Sequence, residues 1–192
     1  MTPVAIFASG AGSNARAILQ RVQNAPDCRI RVVLIITNNP QAGVIQIAAE
    51  FNIPVKQIDR QSFKQPEPLI QALRQQSVQW LVLAGFLWKI PEALIQAFPE
   101  HIINIHPALL PRFGGKGMYG HHVHEAVIAS RETESGITIH LVDEQYDHGK
   151  HLFQVSCPVT NGETAESLAQ KIHQLEHQWF PEILIKTIQS EL

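Results

Sequence analysis

The stretch Val4-Ala5-Ile6-Phe7-Ala8-Ser9-Gly10-Ala11-Gly12-Ser13-Asn14-Ala15-Arg16-Ala17-Ile18-Leu19 decides the fold. Val4 to Ala8 is apolar without alternation, which predicts a strand buried on both faces and so a parallel sheet covered by helices. From Asn14 to Gln23, the residues Ala15, Ile18, Leu19 and Val22 recur at helical spacing. Between strand and helix, Gly10 to Ala15 fits the pattern G-x-G-x-x-A. Glycines let the backbone approach an anion, and the helix start offers unpaired N–H groups and a partial positive charge. An anion site is expected there; the other reading is a tight turn that needs glycine for geometry alone. A dinucleotide cofactor would want an acid at the end of the second strand. That position is Thr37-Asn38-Asn39, with no carboxylate. A single phosphate monoester suits the loop better, with Ser13 and Asn14 adding side-chain donors.

Reading outward, short apolar runs alternate with helical segments. Strands are expected at Val32–Thr37, Val55–Ile58, Trp80–Ala84 and Ile102–Ile105, with helices at Val44–Phe51, Leu69–Gln76 and Pro91–Phe98. Pro91 can open its helix because a missing N–H costs little at that position. Each strand–helix–strand crossover should be right-handed. After Ile105 the character changes. Pro107 to Gly120 is rich in Gly and Pro and too long for an idle connection. A helix follows at His122–Ser130. Gly136–Val142 alternates apolar and polar residues, and Leu152–Val159 reads as its partner strand. A long helical region, Thr164–Ile188, carries Thr164 as N-cap and a break expected near Pro181. The fold class is α/β: a Rossmann-like, mostly parallel sheet with helices on both faces, an antiparallel C-terminal extension and a long helix.

Composition bounds the function. At 192 residues the chain is read as one domain over 1–192, with a phosphate-binding half (1–100) and a catalytic half (101–192). A net charge of -2 supplies no basic field, so no nucleic-acid partner is expected. Cys28 and Cys157 have no metal or redox spacing, which fits a reducing compartment. Met1-Thr2-Pro3-Val4 runs straight into a strand without a basic segment, so no signal peptide is expected. No apolar run approaches ~18–20 residues, so no membrane span is expected. These readings together point to a cytoplasmic protein.

The second informative stretch is Asn104-Ile105-His106-Pro107-Ala108-Leu109-Leu110-Pro111, at the end of an expected central strand. Ligands of open α/β sheets bind beyond that edge. Residues two apart on a strand point the same way, so Asn104 and His106 should project together. An amide and an imidazole there can polarise a carbonyl and handle a proton. Alone, Asn-x-His is a weak signal. The third stretch, Gly136-Ile137-Thr138-Ile139-His140-Leu141-Val142-Asp143-Glu144-Gln145-Tyr146-Asp147-His148-Gly149, ends a strand in an acidic turn. Asp147 is suited to orient a histidine; the bland reading is a solvated turn. His140 reads as a tentative neighbour of that turn or as a structural histidine.

Taken in order, Ser9-Gly10-x-Gly12-Ser13-Asn14, Asn104-x-His106-Pro107-x-Leu109-Leu110-Pro111 and Gly136-x-Thr138-x-His140 with Asp147-x-Gly149 resemble the folate-dependent formyltransferase family. The likeness is strongest to the branch that acts on glycinamide ribonucleotide (GAR). It implies formyl transfer from 10-formyltetrahydrofolate to GAR in purine synthesis, with no metal. It implies catalytic roles for Asn104, His106 and Asp147. It places GAR on Gly12, Ser13, Asn14 and Glu176. It places the folate on Phe86, Leu87, Trp88, Lys89, Ile90, Asn104 and Val142, and a tentative supporting histidine at His124. Trp88 stands where some members carry a basic residue, and Gly114–Gly120 lengthens the loop after the catalytic strand. His173-Gln174-Leu175-Glu176-His177 matches a zinc-protease pattern by spacing alone; a polar helix face carrying Glu176 as a substrate contact is preferred. A monomer or a homodimer fits the sequence equally.

Overall fold

The computed structural model describes residues 1–190. Its elements are β1 (Thr2–Phe7), α1 (Ser13–Gln23), β2 (Ile30–Thr37), α2 (Val44–Glu50), β3 (Val55–Gln57), α3 (Arg60–Lys64), α4 (Glu67–Gln75), β4 (Trp80–Leu83), α5 (Glu92–Ala97), β5 (Ile102–His106), α6 (His121–Ala129), β6 (Glu134–Leu141), β7 (His151–Pro158) and α7 (Ala165–Gln189). They build one seven-stranded sheet of order β3-β2-β1-β4-β5-β6-β7. Strands β1 to β5 pair in parallel, and β6 and β7 join antiparallel.

The continuous apolar run of β1 is explained by two cores. Val4, Ile6 and Ala8 enter one core, with residues of α1, α2, α6 and α7. Ala5 and Phe7 enter the other, with residues of α3, α4 and α5. Both faces of the strand are therefore dry. The same parity runs through β5. Ile103 and Ile105 join the first core and Ile102 the second. Asn104 and His106 continue the face of Ile102.

Strand β6 shows why alternation was visible in its sequence. Ile137 and Ile139 enter the first core, yet Thr138 and His140 are buried too, on the opposite face. That face is the functional one rather than a wet one. Cross-strand pairs Asn104↔His140 and His106↔Thr138 put the four polar residues together.

Two elements depart from expectation. Helix α3 carries little apolar periodicity, because Phe63 is its one buried residue; its signal was the capping box between Asp59 and Ser62, with Ser62 N donating to Asp59 Oδ1 at 2.7 Å. Helix α7, expected to break near Pro181, runs unbroken from Ala165 to Gln189. Thr164 caps it, accepting from Ser167 N at 3.2 Å. An interior proline costs ~3 kcal/mol. Leu168, Ile172, Phe180, Leu184 and Ile188 are all buried on α7, and each such side chain contributes ~1.5–3 kcal/mol. Burial on both sides of Pro181 outweighs the lost hydrogen bond. Phe180 is fully buried, so Phe180→Ala should destabilise the fold by ~3–5 kcal/mol. Urea unfolding would measure this; a loss under about 1 kcal/mol would mean that α7 is not part of the core.

Candidate active site

In the sheet, β1 lies between β2 and β4. The chain leaves β1 toward one edge and β4 toward the other, so a crevice opens between their C-terminal ends. A cavity of about 740 Å³ occupies it. Its walls come from the loops after β1, β4 and β5, from residues 115–121, from the turn after β6 and from α7.

One end of the cavity is the glycine loop. Gly12 has φ +80, and a Cβ there would sit 2.8 Å from Val44 backbone and side-chain atoms, so only glycine fits. The N-terminus of α1 has no side-chain cap, which leaves its first N–H groups free to meet an anion. Ser9 ties this loop to the next one: its N–H donates to Gly85 O at 3.0 Å and its Oγ accepts from Leu87 N at 3.0 Å. Ser13, at the first turn, lines the cavity. The side chain of Asn14 differs from expectation. Its Nδ2 donates to Glu176 Oε2 at 2.9 Å, so the amide is committed to α7. The oxygen of that amide, Oδ1, is buried without a hydrogen-bond partner. Glu176 is 6 % exposed. Burial pushes its carboxyl above the usual range, against the opposing effects of the Asn14 hydrogen bond and of His173.

At the centre, Asn104, His106, His140 and Asp147 converge. His106 is 3 % exposed and His140 1 %. His106 Nε2 lies 2.7 Å from Phe113 O and donates to it. Nδ1 is then the bare nitrogen of the neutral ring. That atom is 3.6 Å from Asp147 Oδ2. His140 Nδ1 donates to Leu141 O at 2.8 Å, so its Nε2 accepts from Asn104 Nδ2 at 3.1 Å. His140 therefore fixes which way the Asn104 amide points. Asp147 Oδ1 is 3.8 Å from His140 Nε2, and Asp147 Oδ2 accepts from Gly115 N at 2.9 Å. Burial pushes His106 below the ordinary histidine value, against the opposing pull of Asp147 and Phe113 O. His140 is lowered as well, chiefly by burial. His124 is pushed down to about 4 by burial and by His173, His121 and His106. Burial therefore favours the neutral form of His106, His140 and His124.

The other end is aromatic. Phe86 packs edge-on against Phe7 and Phe63 at 5.3 and 5.5 Å, and Trp88 lies 5.6 Å from Phe63. Phe86, Leu87, Trp88, Lys89, Ile90 and Val142 all line the cavity. Two cations sit on rings at this rim: Arg60 over Trp88 and Lys89 over Tyr146, both at 5.4 Å.

Every residue expected at the site from sequence lines this one cavity, including His124 and Glu176. Sequence reading missed Arg60 and the backbone groups of Phe113 and Gly115. No motif marks Arg60, which reaches the site only through the contact of α3 with Trp88. Tyr146 lay inside a turn that had already been singled out. His173 and His177, two members of the zinc-like pattern, are stacked 6.3 Å apart on α7. Among the described residues no group of three or more His, Cys, Asp or Glu side chains is arranged to hold a metal ion, and no helix is long and apolar enough to cross a membrane.

A family model described as formyl transferase matches residues 2–184. The phosphoribosylglycinamide formyltransferase of Bacillus subtilis is 36 % identical over 188 residues, covering 96 % of this chain and 93 % of that protein. The chloroplastic phosphoribosylglycinamide formyltransferase of Vigna unguiculata is 44 % identical over 94 % of this chain, which spans 59 % of that protein's length. The crystal structure of the phosphoribosylglycinamide formyltransferase of Bacillus halodurans superposes with a TM-score of 0.90 at 35 % identity, covering 100 % of this chain and 97 % of that one. This chain belongs to the formyl transferase family.

Proposed function

We propose that the chain transfers the formyl group of 10-formyltetrahydrofolate to the amine of GAR, giving formyl-GAR and tetrahydrofolate in purine synthesis. The observation that carries the reading is the convergence of Asn104, His106 and Asp147 between an uncapped helix start and an aromatic wall. The names of the relatives in Bacillus subtilis and Vigna unguiculata support the choice of acceptor.

Each end of the cavity has a partner in this scheme. The GAR phosphate takes the free N–H groups at Gly12, Ser13 and Asn14. Glu176 faces the glycinamide part. The folate ring system enters between Phe86, Leu87, Trp88, Lys89, Ile90 and Val142, and Asn104 meets its formyl group. Anchoring phosphate far from the reacting amine turns binding energy into orientation.

The chemistry then needs one proton acceptor and one oxyanion donor. The amine nitrogen attacks the formyl carbon and a C–N bond forms. The carbonyl oxygen becomes an oxyanion, and the second N–H of the Asn104 amide donates to it. His106 Nδ1 takes the proton lost by the amine, and Asp147 at 3.6 Å stabilises the imidazolium. The same proton passes to the folate nitrogen as its bond to carbon breaks. The 3.6 Å gap exceeds a direct hydrogen bond, so Asp147 works as a charge partner or through a water.

A cytoplasmic location belongs to the same proposal, while the Vigna relative is chloroplastic by name. Incubation with 10-formyltetrahydrofolate and GAR should yield tetrahydrofolate and formylated GAR in equal amounts. Formate released at the same rate without acceptor would instead indicate a hydrolase. No turnover under either condition would contradict the reading.

A further inference from the structure

We propose that Ser9 is a positioning residue that joins the two ends of the cavity: its hydroxyl ties Leu87 of the aromatic wall to the glycine loop, so that an anion on the loop and a folate on the wall strengthen each other's binding. The inference rests on the proposed placement of phosphate at one end and folate at the other, and deepens it. Ser9 follows β1 and opens the glycine loop. It is 7 % exposed. Each of its polar groups holds a different partner. The N–H donates to Gly85 O at 3.0 Å, Oγ accepts from Leu87 N at 3.0 Å, and the carbonyl accepts from Asn39 Nδ2 at 3.3 Å. The loops after β1, β2 and β4 therefore meet at one residue. Ser9 itself does not line the cavity, so it acts through its neighbours.

The wall has little else to hold its backbone. Among the described residues, the backbone of segment 85–90 makes two hydrogen bonds, and both go to Ser9. Phe86 is fixed by its edge-on contacts with Phe7 and Phe63, and Ile90 by burial. Leu87, between them, is 50 % exposed, so packing holds it weakly. Gly85 has φ +75 and open space where a Cβ would stand, which gives the segment a hinge. The tie is thus a two-state element, closed when Ser9 Oγ holds Leu87 N and open when the wall pivots at Gly85. An anion on the N–H groups of Gly12, Ser13 and Asn14 steadies the loop that Ser9 opens, and so favours the closed state. A folate packed on Leu87 and Trp88 needs the wall in that same state. Two ligands that favour one state raise each other's affinity by the same factor, without touching.

The test reads the Leu87 amide directly, by hydrogen exchange in NMR spectra, with ribose 5-phosphate as the loop ligand and tetrahydrofolate as the wall ligand. Saturating ribose 5-phosphate should slow exchange at Leu87 in the wild type and tighten tetrahydrofolate binding by about fivefold or more. In Ser9→Ala both effects should vanish, while the affinity for ribose 5-phosphate alone is nearly unchanged. Ser9→Thr, which keeps the hydroxyl, should restore the linkage. In steady state, Ser9→Ala should raise KM for the folate roughly five- to tenfold with kcat little changed. A folding defect would instead lower kcat through the active fraction. A wild-type Leu87 amide indifferent to ribose 5-phosphate would overturn the proposal, and that result stands even if Ser9→Ala does not fold. So would a Ser9→Ala variant that keeps the wild-type linkage. Neither measurement uses formyl transfer, so a protein that shows the linkage but does not formylate GAR would refute the proposed function alone.

Discussion

Replacing His106 with alanine should lower kcat by roughly 10²–10⁴-fold with the fold intact and GAR binding nearly unchanged. The reasoning starts from the ring's surroundings. His106 is 3 % exposed and its Nε2 is taken by Phe113 O. Nδ1 is the free nitrogen, with Asp147 beside it. The neighbouring imidazole of His140 cannot replace it, because both of its nitrogens are engaged. In the proposed arrangement GAR is held mainly at the glycine loop and Glu176, so its affinity should survive. The pH dependence follows from the direction of the shift. Burial lowers the pKa of His106, so the neutral, proton-accepting form persists below the ordinary histidine value of about 6.5. The ascending limb of kcat/KM should therefore turn below that value in the wild type. Stopped-flow and steady-state rates across pH 4.5–9 would check both statements. A limb above about pH 7 would mean that His106 rests as an imidazolium, and the assigned role would be wrong.

Asn104→Ala is expected to cost about 10²–10³-fold in kcat, the usual effect of removing one oxyanion donor. Asn104 sits in β5, and His140 Nε2 fixes its Nδ2 at 3.1 Å. The amide is therefore aimed before substrate arrives, which is what makes such a donor effective. Asn104→Asp should be at least as damaging. It has the same shape, loses the N–H, and brings a second negative charge toward Asp147 and the developing oxyanion. If the loss falls in KM for the folate with kcat preserved, Asn104 is a binding residue and the oxyanion needs another donor.

Much of the sheet was legible because Val4–Ala8 and Trp80–Ala84 are unbroken apolar runs, β6 alternates, and helices such as α1 keep helical spacing. The two errors have physical causes. Helix α3 is too short to show a period, and Pro181 was overruled by the buried face of α7. At the site, Asn104 and His106 could be paired by strand parity alone. Asp147 could not: only the fold shows the turn after β6 bending back over β5. Nor could sequence show that the Asn14 amide is spent on Glu176, a residue 162 positions away. Trp88 stands where the family resemblance led one to expect a basic residue. The structure places the guanidinium of Arg60, from α3, 5.4 Å over its ring. Backbone donors and acceptors such as Gly115 N and Phe113 O leave no mark in residue identity, so they stay invisible until coordinates exist.

The most direct test of the whole account is a double-mutant cycle on His106 and Asp147, read as kcat/KM for formyl transfer to GAR. If the two side chains form one proton-handling unit, His106→Ala, Asp147→Ala and the double variant should lose nearly the same activity, since either change disables the unit. Losses that multiply as independent effects would contradict it.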